Sequence, residues 1–216
     1  MAKPRNTEER TRIEKLAFRI LTDKGVSSTS FADIADRAGV TRSLVQHYFP
    51  KKDIFIEDFI NLALNEVSDI VENCEYINQE NPVERLYAVG YVEFFFLIYN
   101  HQMENLKHDI LQNRDNTTMI INDVIRWTLD YLADESNEFK DKIADAIRFA
   151  MGGACEYIYA CLEDGTEIDV EYVGDKVITT MQAILGLAWD SVSLPDKLPR
   201  SWLEQTAEQL NATLLG

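Results

Sequence analysis

Cysteine is scarce in this chain, with only Cys74, Cys155 and Cys161 among 216 residues. An odd number without a Cys-x-x-Cys pair argues against a disulfide framework and leaves reduced, mostly buried thiols as the simplest reading. A membrane-length apolar run is missing as well. The longest, Leu86 to Tyr99, is interrupted by Glu93 and is too short for a bilayer. The N-terminus is polar and charged, without a secretory pattern, so a soluble cytoplasmic protein is expected. There is no β alternation, no strand-flanked hairpin dipeptide, no internal repeat and no low-complexity tract. Catalytic signatures are missing too. The sequence has no Gly-rich phosphate loop, no Ser/His/Asp order around a strand-turn-helix and no paired carboxylate site. Neither an enzyme nor a cofactor is expected. His101, Glu104 and His108 share a helix face at i, i+3 and i+7, but nothing flanks them to complete a metal site, and exposed surface is the expectation.

What remains is helical periodicity in a chain that is 46% hydrophobic, enough for a substantial core. Ile13, Leu16, Ala17, Ile20 and Leu21 give a first helix one apolar stripe, closed by Gly25. Pro50 opens a fourth helix to about Cys74. Body helices are expected at about 83–100, from there to about 114, then 118–132, 139–162, 170–192 and 201–214. The fold class is therefore all-α, with about nine or ten helices.

The most informative stretch is Ser30 to Phe49. Ser30 and Asp33 form a capping box for one short helix, Gly39 permits a turn, and Thr41 caps the next helix. Counted from Phe31, small Ala35 is fifth, Gly39 ninth and branched Val45 fifteenth, the pattern of two helices crossing closely in a helix-turn-helix. Ile34, Ala38, Val40 and Phe49 are expected to build a small core with Leu16 and Ile20. The side chains left for a DNA groove are Arg42, Ser43, Leu44, Gln46, His47 and Tyr48. Arg42 has the donors for a guanine edge, and Gln46 suits adenine. Thr41, Ser43 and Tyr48 suit phosphates, and Ser30 joins this DNA-facing set. Leu44 suits a thymine methyl or the core, and His47 a phosphate or helix packing. Lys51 and Lys52 sit where positive charge opposes a helix dipole, which makes sense beside a phosphate.

Charge supports this division. The chain carries a net −16. Residues 1–52 hold eleven Lys/Arg against six Asp/Glu, a net of +5, so residues 53–216 carry −21. A basic head on an acidic body fits a protein that meets DNA with the head alone.

Residues 8–60 resemble the DNA-binding head of TetR-family repressors. The resemblance rests on Ala17, Gly25, Ile34-Ala35, Ala38-Gly39-Val40-Thr41, His47-Tyr48-Phe49 and Lys52-Asp53. Gln46 stands where the family usually has tyrosine. The resemblance implies a DNA-binding domain over residues 1–52 and a helical domain over 53–216 that dimerises and binds a small inducer. It also implies a two-fold dimer reading a palindromic operator on double-stranded DNA, with release by the inducer.

For the inducer, the body offers Tyr91, Phe94, Tyr99, Trp127, Tyr131 and Phe149 as pocket aromatics, with Glu93 and Glu156 as carboxylates. A carboxylate among aromatics suits a hydrophobic or aromatic ligand that is also cationic. Small residues Gly152, Gly153 and Gly186, with Trp189 as an anchor, mark the expected homodimer surface on the last long helices. The rival reading is an α-helical carrier or enzyme whose head is vestigial or binds protein, against which the +5 head argues.

Overall fold

The computed structural model describes residues 7–132, 137–186 and 197–216. These form ten α-helices and one 3-10 turn, with no strand among the described residues. The helices are α1 (Thr7–Lys24), α2 (Phe31–Ala38), α3 (Arg42–Tyr48), α4 (Asp53–Glu72) and α5 (Pro82–Tyr99), followed by α6 (Glu104–Gln112), α7 (Arg114–Tyr131), α8 (Asn137–Asp164), α9 (Val170–Leu185) and α10 (Arg200–Leu215). The 3-10 turn is His101–Met103.

The head folds as its local chemistry dictates. The Ser30 hydroxyl accepts from the Asp33 amide, and the Asp33 carboxylate accepts from the Ser30 amide, completing the capping box. Gly39 ends α2 in the left-handed region at φ +64°, where a side chain would be strained. The Val40 amide then reaches Ala35 O and the Gly39 amide reaches Asp36 O, which satisfies two end carbonyls. Thr41 caps α3 by accepting from the Leu44 amide at 3.2 Å.

Ile13, Ala17, Phe18, Leu21, Ile34, Ala38, Val45 and Phe49 are buried. Leu16, Ile20 and Val40 are only half-buried, because the stripe of α1 is centred on Ile13, Ala17 and Leu21, with Phe18 beside it. Arg12 adds a tie from α1 to the Ala38 carbonyl at the end of α2.

Several boundaries differ from the expectation. α7 begins at Arg114 rather than 118, because the Asn113 side chain accepts from the amides of Asp115 and Asn116. α4 begins at Asp53, three residues after Pro50. α9 stops at Leu185 with Gly186 at φ +66°; the rest of the helix expected there, Trp189 included, lies outside the described residues.

α4 runs through the molecule as a spine. Near its start, Phe55 stacks on Phe49 at 4.2 Å between ring centres, and one turn on Phe59 meets Phe18 edge-on at 5.2 Å. Farther along, α4 packs on α5, α7 and α10. α5 is the central body helix and is apolar nearly all round, with Ala88, Val89, Tyr91, Val92, Phe95 and Phe96 all buried. α8 and α9 pair with one another over a short connection. One apolar core is continuous from Ile13 in the head to Leu214 in the body.

Candidate nucleic-acid interface and body cavity

The exposed arc of the head is set by the burial of Val45 and Phe49. With those two turned inward, helical spacing leaves Arg42, Ser43, Gln46 and His47 exposed on α3, with Thr41 exposed at its cap. Leu44 and Tyr48 are half-buried on the flanks, and Tyr48 packs edge-on against His47 at 5.5 Å. Lys51 is exposed just beyond. This arc is polar, carries Arg42 and Lys51, and has no acidic residue between 37 and 52.

Two residues of the expected DNA-facing set have structural partners as well. The Ser30 hydroxyl is engaged in its capping box. The Lys52 ammonium turns back to donate to Val26 O at 2.7 Å and Thr29 O at 2.9 Å, so two of its three N–H groups hold the loop between α1 and α2. Sequence reading missed this second role because the loop carbonyls come from 23 to 26 residues away.

The same loop is gripped from the body. Asp109 on α6 accepts from the Ser27 amide at 2.8 Å, and Asn105 donates to Asp23 O at 2.8 Å. Gly25, at φ +80°, lies so close to the Asp109 carboxylate that a Cβ there would collide with it. The loop is therefore clamped between Lys52, at the cap of α4, and α6.

A second junction lies under α3. Arg10 pairs with Glu14 at 2.8 Å and with Asp58 of α4 at 2.5 Å, and its guanidinium lies 4.8 Å from the centre of the Phe49 ring. Burial, with the neighbouring Asp58 carboxyl, pushes Glu14 up to about 7 against the opposing pull of Arg10.

The other face of α6 lines a cavity of about 160 Å³ between α4, α5, α6, α7, α8 and α9. Its walls are almost entirely apolar. α5 contributes Tyr91, Glu93 and Phe94, and α7 contributes Trp127, all four expected there. Gly90 adds open space, since a Cβ on it would meet nothing within 4 Å among the described residues. Opposite, Gly174 of α9 lets the Tyr91 ring lie against the backbone, where a Cβ would stand 2.5 Å from ring carbons.

Glu93 is the chemical centre of this cavity. It is buried, and neither carboxyl oxygen has a hydrogen-bond partner among the described residues. Burial pushes its pKa up to about 8. The Tyr91 hydroxyl is likewise buried without a partner there, and burial pushes it up to about 12. Lys107, on the α6 wall, donates to Ile98 O at 3.1 Å, and burial lowers its pKa. Cys155 on the α8 wall is pushed up to about 11 by burial and stays a thiol.

Four pocket expectations are corrected. Phe149 is 73% exposed and Glu156 is also exposed, because both project from the outer side of α8 while Met151, Cys155 and Ile158 face inward. Tyr99 is exposed and stacks on Phe95 at 5.0 Å. Tyr131 stacks on Trp127 at 5.2 Å, one layer behind the wall, with the Arg85 guanidinium 5.6 Å from the centre of the Tyr131 ring. The walls supplied by α4, α6 and α9, such as Phe59, Leu106 and Met181, were not singled out, since in sequence they are indistinguishable from ordinary core.

On the expected dimer surface, Gly153 is exposed and Gly152 half-exposed, each with open space where a Cβ would stand. Phe149, Tyr157 and Tyr172 are exposed beside them. Gly186 is instead the left-handed stop of α9. His101 pairs with Glu104 at 3.1 Å and His108 with Glu163 at 2.7 Å, on the surface, and no group of metal-ligating side chains comes together among the described residues.

Comparison with known proteins agrees with the head. The family model described as "Bacterial regulatory proteins, tetR family" matches residues 13–58. The chain is 29% identical over 80 residues to the HTH-type transcriptional regulator BetI 1 of Chromohalobacter salexigens, which is 37% of this chain and 40% of that protein. It is 26% identical over 102 residues to the HTH-type transcriptional repressor KstR2 of Mycobacterium tuberculosis, covering 45% and 48%. These matches span less than half the length of the curated relatives. A TetR-family transcriptional regulator from Streptomyces coelicolor shares the fold over 98% of this chain and 90% of its own, with a TM-score of 0.51 at 17% identity. The helix-turn-helix spacing and the matched head together place residues 13–58 with the tetR family of bacterial regulatory proteins, and the chain as a whole shares its helical fold with a solved regulator of that family.

Proposed function

We propose that the protein is a homodimeric, ligand-responsive DNA-binding regulator that represses from a palindromic operator. The observation that carries this reading is the exposed arc Arg42, Ser43, Gln46 and His47 on a helix-turn-helix whose residues 1–52 are net positive, in a chain that is otherwise strongly acidic. That arc enters the major groove, with Lys51 and Thr41 on flanking phosphates and Lys52 holding the loop beside them. The dimer forms through the outer faces of α8 and α9, where Phe149, Tyr157 and Tyr172 surround open glycines. Two-fold symmetry then places two heads on two half-sites.

The inducer is a small hydrophobic molecule in the body cavity. α6 supports this coupling, since one face lines the cavity and the other holds the loop at Ser27 through Asp109. A ligand acts by favouring the head arrangement with which its cavity is compatible, so its leverage equals its difference in affinity between the two arrangements.

The test is fluorescence anisotropy with labelled DNA from upstream of the chain's own gene, at several salt concentrations. Arg42→Ala is expected to weaken binding by about 1–3 kcal/mol and relax base preference. Lys51→Ala is expected to weaken it uniformly and lower the salt slope by about one. Wild-type binding without salt dependence or sequence preference sinks the assignment.

A further inference from the structure

Resting on the reading of the cavity as the inducer site, we infer that the ligand is a compact lipophilic amine whose ammonium pairs with Glu93, its apolar part lying among Tyr91, Phe94 and Trp127. Three observations converge. Both Glu93 oxygens are buried and unpartnered among the described residues, and the residue lies on the cavity wall. A buried carboxyl without hydrogen bonds is costly, and a ligand with N–H donors removes that cost. The surrounding wall is apolar and aromatic, and aromatic faces attract a cation stripped of water. The space at Gly90, one turn before Glu93 on the same helix face, lets a ligand approach the carboxyl from the side.

The other titratable groups on the walls do not compete for this role. Tyr87 and Tyr91 share α5 with Glu93, and burial pushes both phenols up to about 12, so they stay neutral. Cys155 on α8 stays a thiol. Lys107 on α6 already donates to Ile98 O, and burial favours its loss of charge. The wall residues of α4, α7 and α9 bring no titratable side chain into the cavity. Size sets the second limit. About 150 Å³ lined by apolar side chains accommodates a benzene ring, so about 160 Å³ fits one ring with a short arm.

The pairing has a protonic signature. In the free protein Glu93 holds its proton at neutral pH, because burial places its titration near pH 8. When an ammonium binds, Glu93 gives that proton to water and the ion pair forms, with charge conserved. Amine affinity therefore falls as pH drops below about 8, where protons compete for the carboxylate.

The experiment is titration calorimetry on the full chain at pH 7, in two buffers of different ionisation enthalpy. The probes are 2-phenylethylamine, 2-phenylethanol and phenylacetate. The amine is expected to bind about tenfold or more tightly than the alcohol, as a charge-assisted hydrogen bond in a dry site implies, and to release nearly one proton. Glu93→Gln is expected to erase both the preference and the proton release while still binding the alcohol. The wild-type ranking of the three probes, amine above alcohol above acid, stands by itself if that variant folds poorly. Equal or tighter binding of the alcohol or the acid, or an amine preference that survives in Glu93→Gln, overturns the amine class and leaves the cavity reading intact. Failure of all three probes to bind removes the cavity reading and the amine class with it.

Discussion

The head and the body each contain a buried carboxyl that holds its proton above the ordinary range, yet the two are built differently. Glu14 in the head lies against Arg10 and Asp58, so its charge has company and its shift has several causes. Glu93 in the body faces an apolar cavity, and its oxygens are unpartnered among the described residues. The first arrangement cements a joint between α1 and α4. The second leaves polar capacity open within a space large enough for a ligand. Satisfied polar groups mark where this fold is fixed, and an unsatisfied one marks where it has room to respond.

The joint is the place to test first. Phe49→Ala removes the ring that stacks on Phe55 and lies under Arg10, and is expected to cost about 3–5 kcal/mol. Urea unfolding followed by circular dichroism should still show one transition, since one core runs through both regions. A head that melts separately, with the body midpoint unchanged, breaks the shared-core claim.

The adjacent lysines sharpen the contrast between scaffold and the surface proposed to face DNA. Lys52→Ala leaves two loop carbonyls without their ammonium and is expected to lower stability by about 1–3 kcal/mol. Lys51→Ala is expected to stay within about 0.5 kcal/mol of wild type while still weakening DNA binding. Equal melting temperatures for the two variants refute the structural role given to Lys52.

The two carboxyls also predict how stability depends on pH. Each has a folded-state pKa above its unfolded value near 4.5, so the folded state holds the proton more tightly. Their contribution is present at low pH and lost as pH rises through about 7 for Glu14 and about 8 for Glu93. Ligand-free protein should therefore melt at a lower temperature at pH 9 than at pH 6. Glu93→Gln should flatten the upper part of that slope and Glu14→Gln the lower part. An unchanged profile in the glutamine variants shows that neither group is responsible.

The smallest effect is at Gly90. Gly90→Ala improves helix propensity without a clash and should raise stability by up to about 1 kcal/mol. It also narrows the cavity beside Glu93, so 2-phenylethylamine affinity should fall while stability rises. A variant that gains stability and binds the amine unchanged places the ligand away from Gly90.

Much of the head was legible in the chain because its signals are local. Ser30 with Asp33, Gly39 and Thr41 each act within a few residues of themselves, and Val45 fixes by helical period which side of α3 faces out. The body was legible only as helices. Trp127 and Tyr131 lie on one stretch of α7 and look alike in sequence, yet one lines the cavity and the other backs it. Glu93 and Glu156 both sit among apolar residues, yet Glu93 turns inward on a central helix and Glu156 outward on a peripheral one. Capping, turn chemistry and periodicity are short-range properties, so the sequence alone determined the helix-turn-helix, its exposed arc and the charge split. Which faces of α4 to α9 meet, and the space they fail to fill, depend on contacts between residues far apart in the chain. Only the tertiary structure decided the cavity, the orientation of Glu93 and the clamp on the loop.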